Sequence, residues 1–125
     1  MNFKPLVSVI IPTYNRRNIV TDAIDSVLHQ DYPNIEIIVV DDGSTDGTTQ
    51  QIQKTYGNKI LQLFQDHSEK SKARNYGIIE SDGELVCTLD SDDILLPHAL
   101  KNMVECFNTN PHKPSGGCCL RAFYN

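Results

Sequence analysis

Asp90-Ser91-Asp92-Asp93 puts three carboxylates into four residues. In an extended segment alternate side chains point the same way, so Asp90 and Asp92 would face one site. Carboxylates this crowded disfavour each other's ionised form. A hard divalent cation such as Mg²⁺ relieves the repulsion and supplies the charge needed to hold a diphosphate, because it takes one or two carboxylates together with phosphate oxygens. The same aspartates would also serve as caps for a following helix, whose dipole favours negative charge at its start.

Three further polar clusters invite the same question. Asp41-Asp42-Gly43-Ser44 offers carboxylates that can accept hydrogen bonds from a base N–H or from ribose hydroxyls. Its alternative is a plain turn, with Ser44 or Thr45 capping the next helix. Pro12-Thr13-Tyr14-Asn15-Arg16 brings backbone amides, a hydroxyl and an aromatic face, or simply leads from a turn into a helix. In Lys72-Ala73-Arg74-Asn75, Arg74 can reach a phosphate or a carboxylate, or lie exposed on its helix. Cys87, Cys106, Cys118 and Cys119 match no zinc spacing and are expected to be reduced thiols, and the four histidines are scattered.

The elements that would carry these clusters can be read from apolar patterning. Runs at Val7–Pro12, Ile35–Val40, Ile60–Phe64 and Leu85–Leu89 predict four strands, and the unbroken second run suits a strand covered on both faces. Val20, Ala23, Ile24, Val27 and Leu28 predict a first helix capped by Asn18. A second helix is expected through Ile52 to Tyr56 and a third over Ala73–Glu80. Leu96, Leu100, Val104 and Phe107 give the face of a fourth, with Pro97 in its first turn. Strands and helices alternate, which implies an α/β fold with a parallel sheet and right-handed crossovers. Ligands of such sheets collect beyond the carboxyl ends of the strands, and all four clusters fall there.

Size and composition limit what the fold can serve. At 125 residues, with 39% hydrophobic and 22% charged, the chain fits one compact domain, expected over 1–110 with a tail of different character over 111–125. Its apolar runs are far shorter than the roughly 20 residues of a membrane span. The start, Met1 to Pro5, does not resemble a signal peptide, so the cytoplasm is the expected compartment. A net charge of −5 without a basic cluster argues against nucleic acid as a partner.

Five ordered blocks carry a resemblance. They are Val7-Ser8-Val9-Ile10-Ile11-Pro12-Thr13-Tyr14-Asn15, Ser26-Val27-Leu28-x-Gln30-x-Tyr32-Pro33, Val39-Val40-Asp41-Asp42-Gly43-Ser44-x-Asp46-Gly47-Thr48, Ala73-Arg74-Asn75-x-Gly77-Ile78 and Leu89-Asp90-Ser91-Asp92-Asp93. Together they resemble the family 2 glycosyltransferases over roughly residues 5 to 108. The resemblance implies the GT-A fold, a Rossmann-like sheet that binds a nucleotide-diphospho-sugar. It implies that Asp42, with its neighbour Asp41, meets the base, that Pro12, Thr13 and Tyr14 flank base and ribose, and that Arg74 lines the donor pocket. Asp90 and Asp92 correspond to the family's Asp-x-Asp pair, whose second member binds Mg²⁺ or Mn²⁺. Glu69-Lys70-Ser71 departs from a pattern that often has glycine there.

The reaction that the resemblance implies is an inverting sugar transfer, from a donor such as a UDP-sugar to a hydroxyl of a growing polysaccharide or lipid-linked glycan. Members of the family continue well beyond the length of this chain, so the expectation is their donor-binding part, incomplete at its C-terminal end. The general base would then lie elsewhere and exposed apolar surface would favour self-association; peripheral attachment at the inner membrane face is compatible with such acceptors. Two alternatives stand beside it: a nucleotide-sugar-binding fragment without turnover, and a sugar nucleotidyltransferase. The glycine-rich basic loop usual in the latter is missing from Pro12 to Arg17, and no Gly-x-Gly-x-x-Gly supports a dehydrogenase.

Overall fold

The computed structural model describes residues 4–109 and the strand Phe123–Tyr124. The order is β1 (Val7–Thr13), α1 (Val20–Leu28), β2 (Ile35–Asp41), α2 (Thr48–Tyr56), β3 (Leu61–Phe64), α3 (Lys70–Glu80), β4 (Leu85–Thr88), β5 (Ile94–Leu95), α4 (Ala99–Thr109) and β6 (Phe123–Tyr124), with a short 3₁₀ turn at Gly57–Lys59. Four strands form a parallel sheet in the order β3-β2-β1-β4. After β3 the chain crosses back past β1 to lay down β4, and that reversal opens a crevice at the carboxyl edge.

Every residue of β1 is buried, as a central strand covered on both faces requires. Its side chains alternate between two cores. Val7, Val9 and Ile11 pack with Ile24 and Val27 of α1, Ile52 of α2 and Leu100 and Val104 of α4. Ile10 points the other way, with Ile38 and Val40, onto Ala73 of α3. Removing each such aliphatic side chain from water contributes about 1.5–3 kcal/mol, and together they hold helices on both faces of the sheet. Register then levels the edge: Thr13 pairs with Asp41, and Asp41 with Phe64. The loops leaving β1, β2 and β3 therefore emerge along one line.

The expected elements are present, with corrections. Asn18 does not cap α1; the flanking residue is Ile19, with no side-chain cap, and the helix is entered through a backbone turn in which Val20 N donates to Arg16 O at 2.9 Å. Leu28 is 40% exposed and falls off the apolar face. Neither Ser44 nor Thr45 caps α2: Gly47 flanks it, and Asp46 Oδ1 accepts from Thr48 N at 3.0 Å. Helix α3 begins at Lys70, a turn before the expected Ala73, because its first turn is polar and has no apolar period to read.

Helix α4 starts at Ala99, so Pro97 precedes it rather than lying in its first turn. Leu96 is used differently: Gln30, just past α1, donates from Nε2 to Leu96 O at 2.8 Å and accepts from Leu100 N at 3.0 Å. Ser26 Oγ accepts from Leu95 N at 3.0 Å, holding the short strand β5, which pairs antiparallel with β6. His98, with φ at +69°, separates that strand from the helix. No described helix is long and apolar enough to cross a membrane. Of the expected tail over 111–125 only Phe123–Tyr124 is described, and His112, Cys118 and Cys119 lie outside the described residues.

Candidate functional site

The two adjacent aspartates after β2 have different surroundings. Asp41 is 2% exposed and spends both oxygens on its own loop: Oδ1 accepts from Ser44 N at 2.8 Å, and Oδ2 from the Thr49 hydroxyl at the start of α2. Asp42, 5% exposed, is anchored across the edge instead. Its Oδ1 accepts from Gln65 Nε2 at 2.7 Å and Ser68 N at 2.9 Å, both in the segment after β3. Its Oδ2 lies 3.2 Å from His67 Nδ1. Gly43 has φ at +82°, and a Cβ there would sit 2.7 Å from His67 N, so the two loops meet at a distance that only glycine tolerates.

Tyr14, just past β1, stacks on His67 with ring centroids 3.9 Å apart and planes 23° from parallel. Beside it Thr13 is 3% exposed, and its Oγ1 is buried with no hydrogen-bond partner. Such a group is rare in a native fold, where nearly all buried polar atoms are paired. Pro12, Thr13, Tyr14, Asp42 and His67 line an open cavity of about 310 Å³ together with Lys70, Ala73, Ser91 and Asp92. Asp41, Arg74 and Asp90 do not line it.

The aspartates after β4 lie in a turn, Asp93 N donating to Asp90 O at 3.0 Å, and not in the extended segment expected. The turn gathers all three: Asp90, Asp92 and Asp93 each offer a carboxylate oxygen within 4.8 Å of the others'. Asp90 is tied to α3, with Arg74 Nη2 at 3.1 Å from Oδ1 and Lys70 Nζ at 3.1 Å from Oδ2. Burial pushes its pKa up, but hydrogen bonds and charge from Lys70 and Arg74 outweigh that and hold it below the ordinary carboxylate range. Arg74 Nε is buried without a partner.

Sequence reasoning left His67, Gln65, Ser68 and Lys70 out of the site. The available signal was positional: they come after β3 at the same carboxyl edge as the rest. Residue type gave no help, because a lone His or Gln in a polar loop has no pattern.

The chain matches the model of glycosyl transferase family 2 over residues 8–125. An uncharacterized glycosyltransferase of Rickettsia typhi is 42% identical over 111 residues, which cover 89% of this chain and 35% of the relative. Among solved structures, S. aureus TarS 1-349 in complex with UDP-GlcNAc superposes with a TM-score of 0.76 at 35% identity, over 85% of this chain and 32% of that one. The mannosyltransferase PcManGT from Pyrobaculum calidifontis, in complex with GDP-Man and Mn²⁺, gives a TM-score of 0.73 at 30% identity, over 84% and 33%. The chain thus spans about a third of the length of these proteins. It belongs to glycosyl transferase family 2, and its parallel sheet with helices on both faces is a GT-A fold.

Proposed function

We propose that this chain is the donor-binding part of an inverting glycosyltransferase that takes a UDP-sugar and passes the sugar to a hydroxyl of a growing polysaccharide or lipid-linked glycan in the cytoplasm. The observation that carries the reading is the cavity at the carboxyl edge. It is lined by the buried carboxylate of Asp42, by the Tyr14 ring and by Asp92, the member of the three gathered carboxylates that reaches it. Those are the groups a nucleoside diphosphate needs along its length. Asp42 accepts a base N–H, Tyr14 offers its ring to the base, and Thr13 flanks base and ribose. Pro12 walls the same cavity, while Asp41 keeps the loop in shape.

The carboxylate cluster fits a hard divalent cation, because Asp90, Asp92 and Asp93 each offer an oxygen within 4.8 Å of the others, and such cations take oxygen ligands of this kind. Asp92, with Asp90 beside it, would hold Mg²⁺ or Mn²⁺, which supplies Lewis-acid stabilisation of a departing diphosphate. Arg74 and Lys70 keep Asp90 ionised and oriented. No residue of this chain is assigned as the base that deprotonates the acceptor.

Calorimetric titration with UDP in the presence and absence of Mn²⁺ tests the reading. Binding that is measurably tighter with Mn²⁺ is expected. Equal affinity in both conditions overturns the metal assignment, and no binding in either overturns the donor site.

A further inference from the structure

We propose that the His67 side chain occupies the nucleobase position in the free protein and must swing out before a nucleotide binds. The inference rests on the donor-site reading above and adds a means of regulating that site. The imidazole is a flat ring with a ring nitrogen, and it already makes the contacts a base would make. It lies on the Tyr14 face at 3.9 Å, with its Nδ1 3.1 Å from the Asp42 carbonyl and 3.2 Å from Asp42 Oδ2. Tyr14 cannot present that face to the imidazole and to a base at once.

Only the side chain can leave. The His67 backbone is confined by the close approach of Gly43, and its neighbour Ser68 donates N–H to Asp42 Oδ1 at 2.9 Å. The His67 side chain, in contrast, is 56% exposed, so rotation about χ1 carries it into solvent and bares both the ring and the carboxylate. The apparent affinity for nucleotide is then lowered by the fraction of molecules whose site is filled by His67.

The test is titration of the 125-residue chain and its variants with UDP in Mn²⁺. His67→Ala removes the occupant and should bind about fivefold tighter, the size expected for loss of one stacked aromatic pair. His67→Phe keeps a ring on Tyr14 and should bind no tighter than the parent. In the parent, the His67 ring protons should lose the upfield NMR shift caused by Tyr14 when UDP is added, a readout independent of how the variants fold. Weaker or unchanged binding by His67→Ala, with the parent still binding UDP, overturns this inference and leaves the donor site standing: the imidazole would then be a wall of the site and not its occupant. A ring signal unmoved by bound UDP also overturns it. If neither parent nor His67→Ala binds UDP, the donor-site reading falls and this inference with it.

Discussion

Arg74 and Asp90 form an ion pair, Nη2 to Oδ1 at 3.1 Å, that ties the turn after β4 to helix α3. Asp92, two residues on, is exposed and lines the cavity. The two aspartates therefore divide the work: one is fixed by cations and the other faces the ligand. Asp92→Asn is expected to abolish the Mn²⁺ enhancement of UDP binding. Arg74→Ala leaves Asp90 with Lys70 alone and should weaken Mn²⁺ by about tenfold, as loss of an orienting partner typically does. Calorimetry of Mn²⁺ and UDP on each variant measures both effects. A full Mn²⁺ response in Asp92→Asn would remove that residue from the metal site.

The neighbouring pair after β2 should separate affinity from stability. Asp42→Asn keeps an oxygen for Gln65 and Ser68 but turns the other position into a donor, which repels a base N–H. Weakening of UDP binding by about 1–3 kcal/mol is expected, with little change in melting temperature. Asp41→Ala strands Ser44 N and the Thr49 hydroxyl, so it should lower unfolding free energy by about 1–3 kcal/mol while affecting affinity less. Urea denaturation alongside calorimetry distinguishes them. The opposite pattern would assign base contact to Asp41.

How much of this was legible in the sequence depended on whether a residue's work is local. The β1 run, the α1 stripe and the order of the elements could be read because apolar period reports burial directly. The Asp42 and Asp92 clusters could be placed because they come directly after strands of a parallel sheet. His67 could not, because its partners Tyr14 and Asp42 are distant in sequence and meet only once the register levels the strand ends. Gln30 was visible only inside a resembling block; its bonds to Leu96 and Leu100 explain its place there and why α4 begins late. The polar first turn of α3 hid Lys70 for the same reason: nothing periodic marks it.

Alkaline pH should weaken the packing of α2 against α1. Tyr56 is 6% exposed and donates its hydroxyl to Asp25 Oδ1 at 2.8 Å. Burial first, then the hydrogen bond and charge of Asp25, push its pKa well above the ordinary phenol value. A group whose folded pKa is raised contributes stability that is fully present below its unfolded pKa, about 10, and is lost as pH rises from there towards the folded value. Urea midpoints are expected to fall from about pH 10 upward in the parent, and to fall less in Tyr56→Phe, which has no proton to lose. Parallel declines in both proteins would place the alkaline sensitivity elsewhere.

Gly77 sets how closely α3 approaches the sheet, and with it the position of the cations that hold Asp90. A Cβ at Gly77 would lie 2.4 Å from Ile10 Cγ2 and 3.1 Å from Val40 Cγ2, both in the core beneath the helix. In an exposed helix Gly→Ala stabilises by about 1 kcal/mol, so the sign of the effect is diagnostic. Here overpacking should prevail, and Gly77→Ala should destabilise by about 1–3 kcal/mol. Lifting the helix would also draw Arg74 away from Asp90, so the Asp90 carboxyl should titrate at higher pH by NMR than in the parent. Ile10→Ala makes room for the added methyl, at its own cost of about 2–5 kcal/mol. The double variant should therefore be less destabilised than the two single effects combined, because neighbours that share a contact are not additive. Strict additivity in that cycle, or a Gly77→Ala chain more stable than the parent, would mean that α3 is not held to the sheet by this contact.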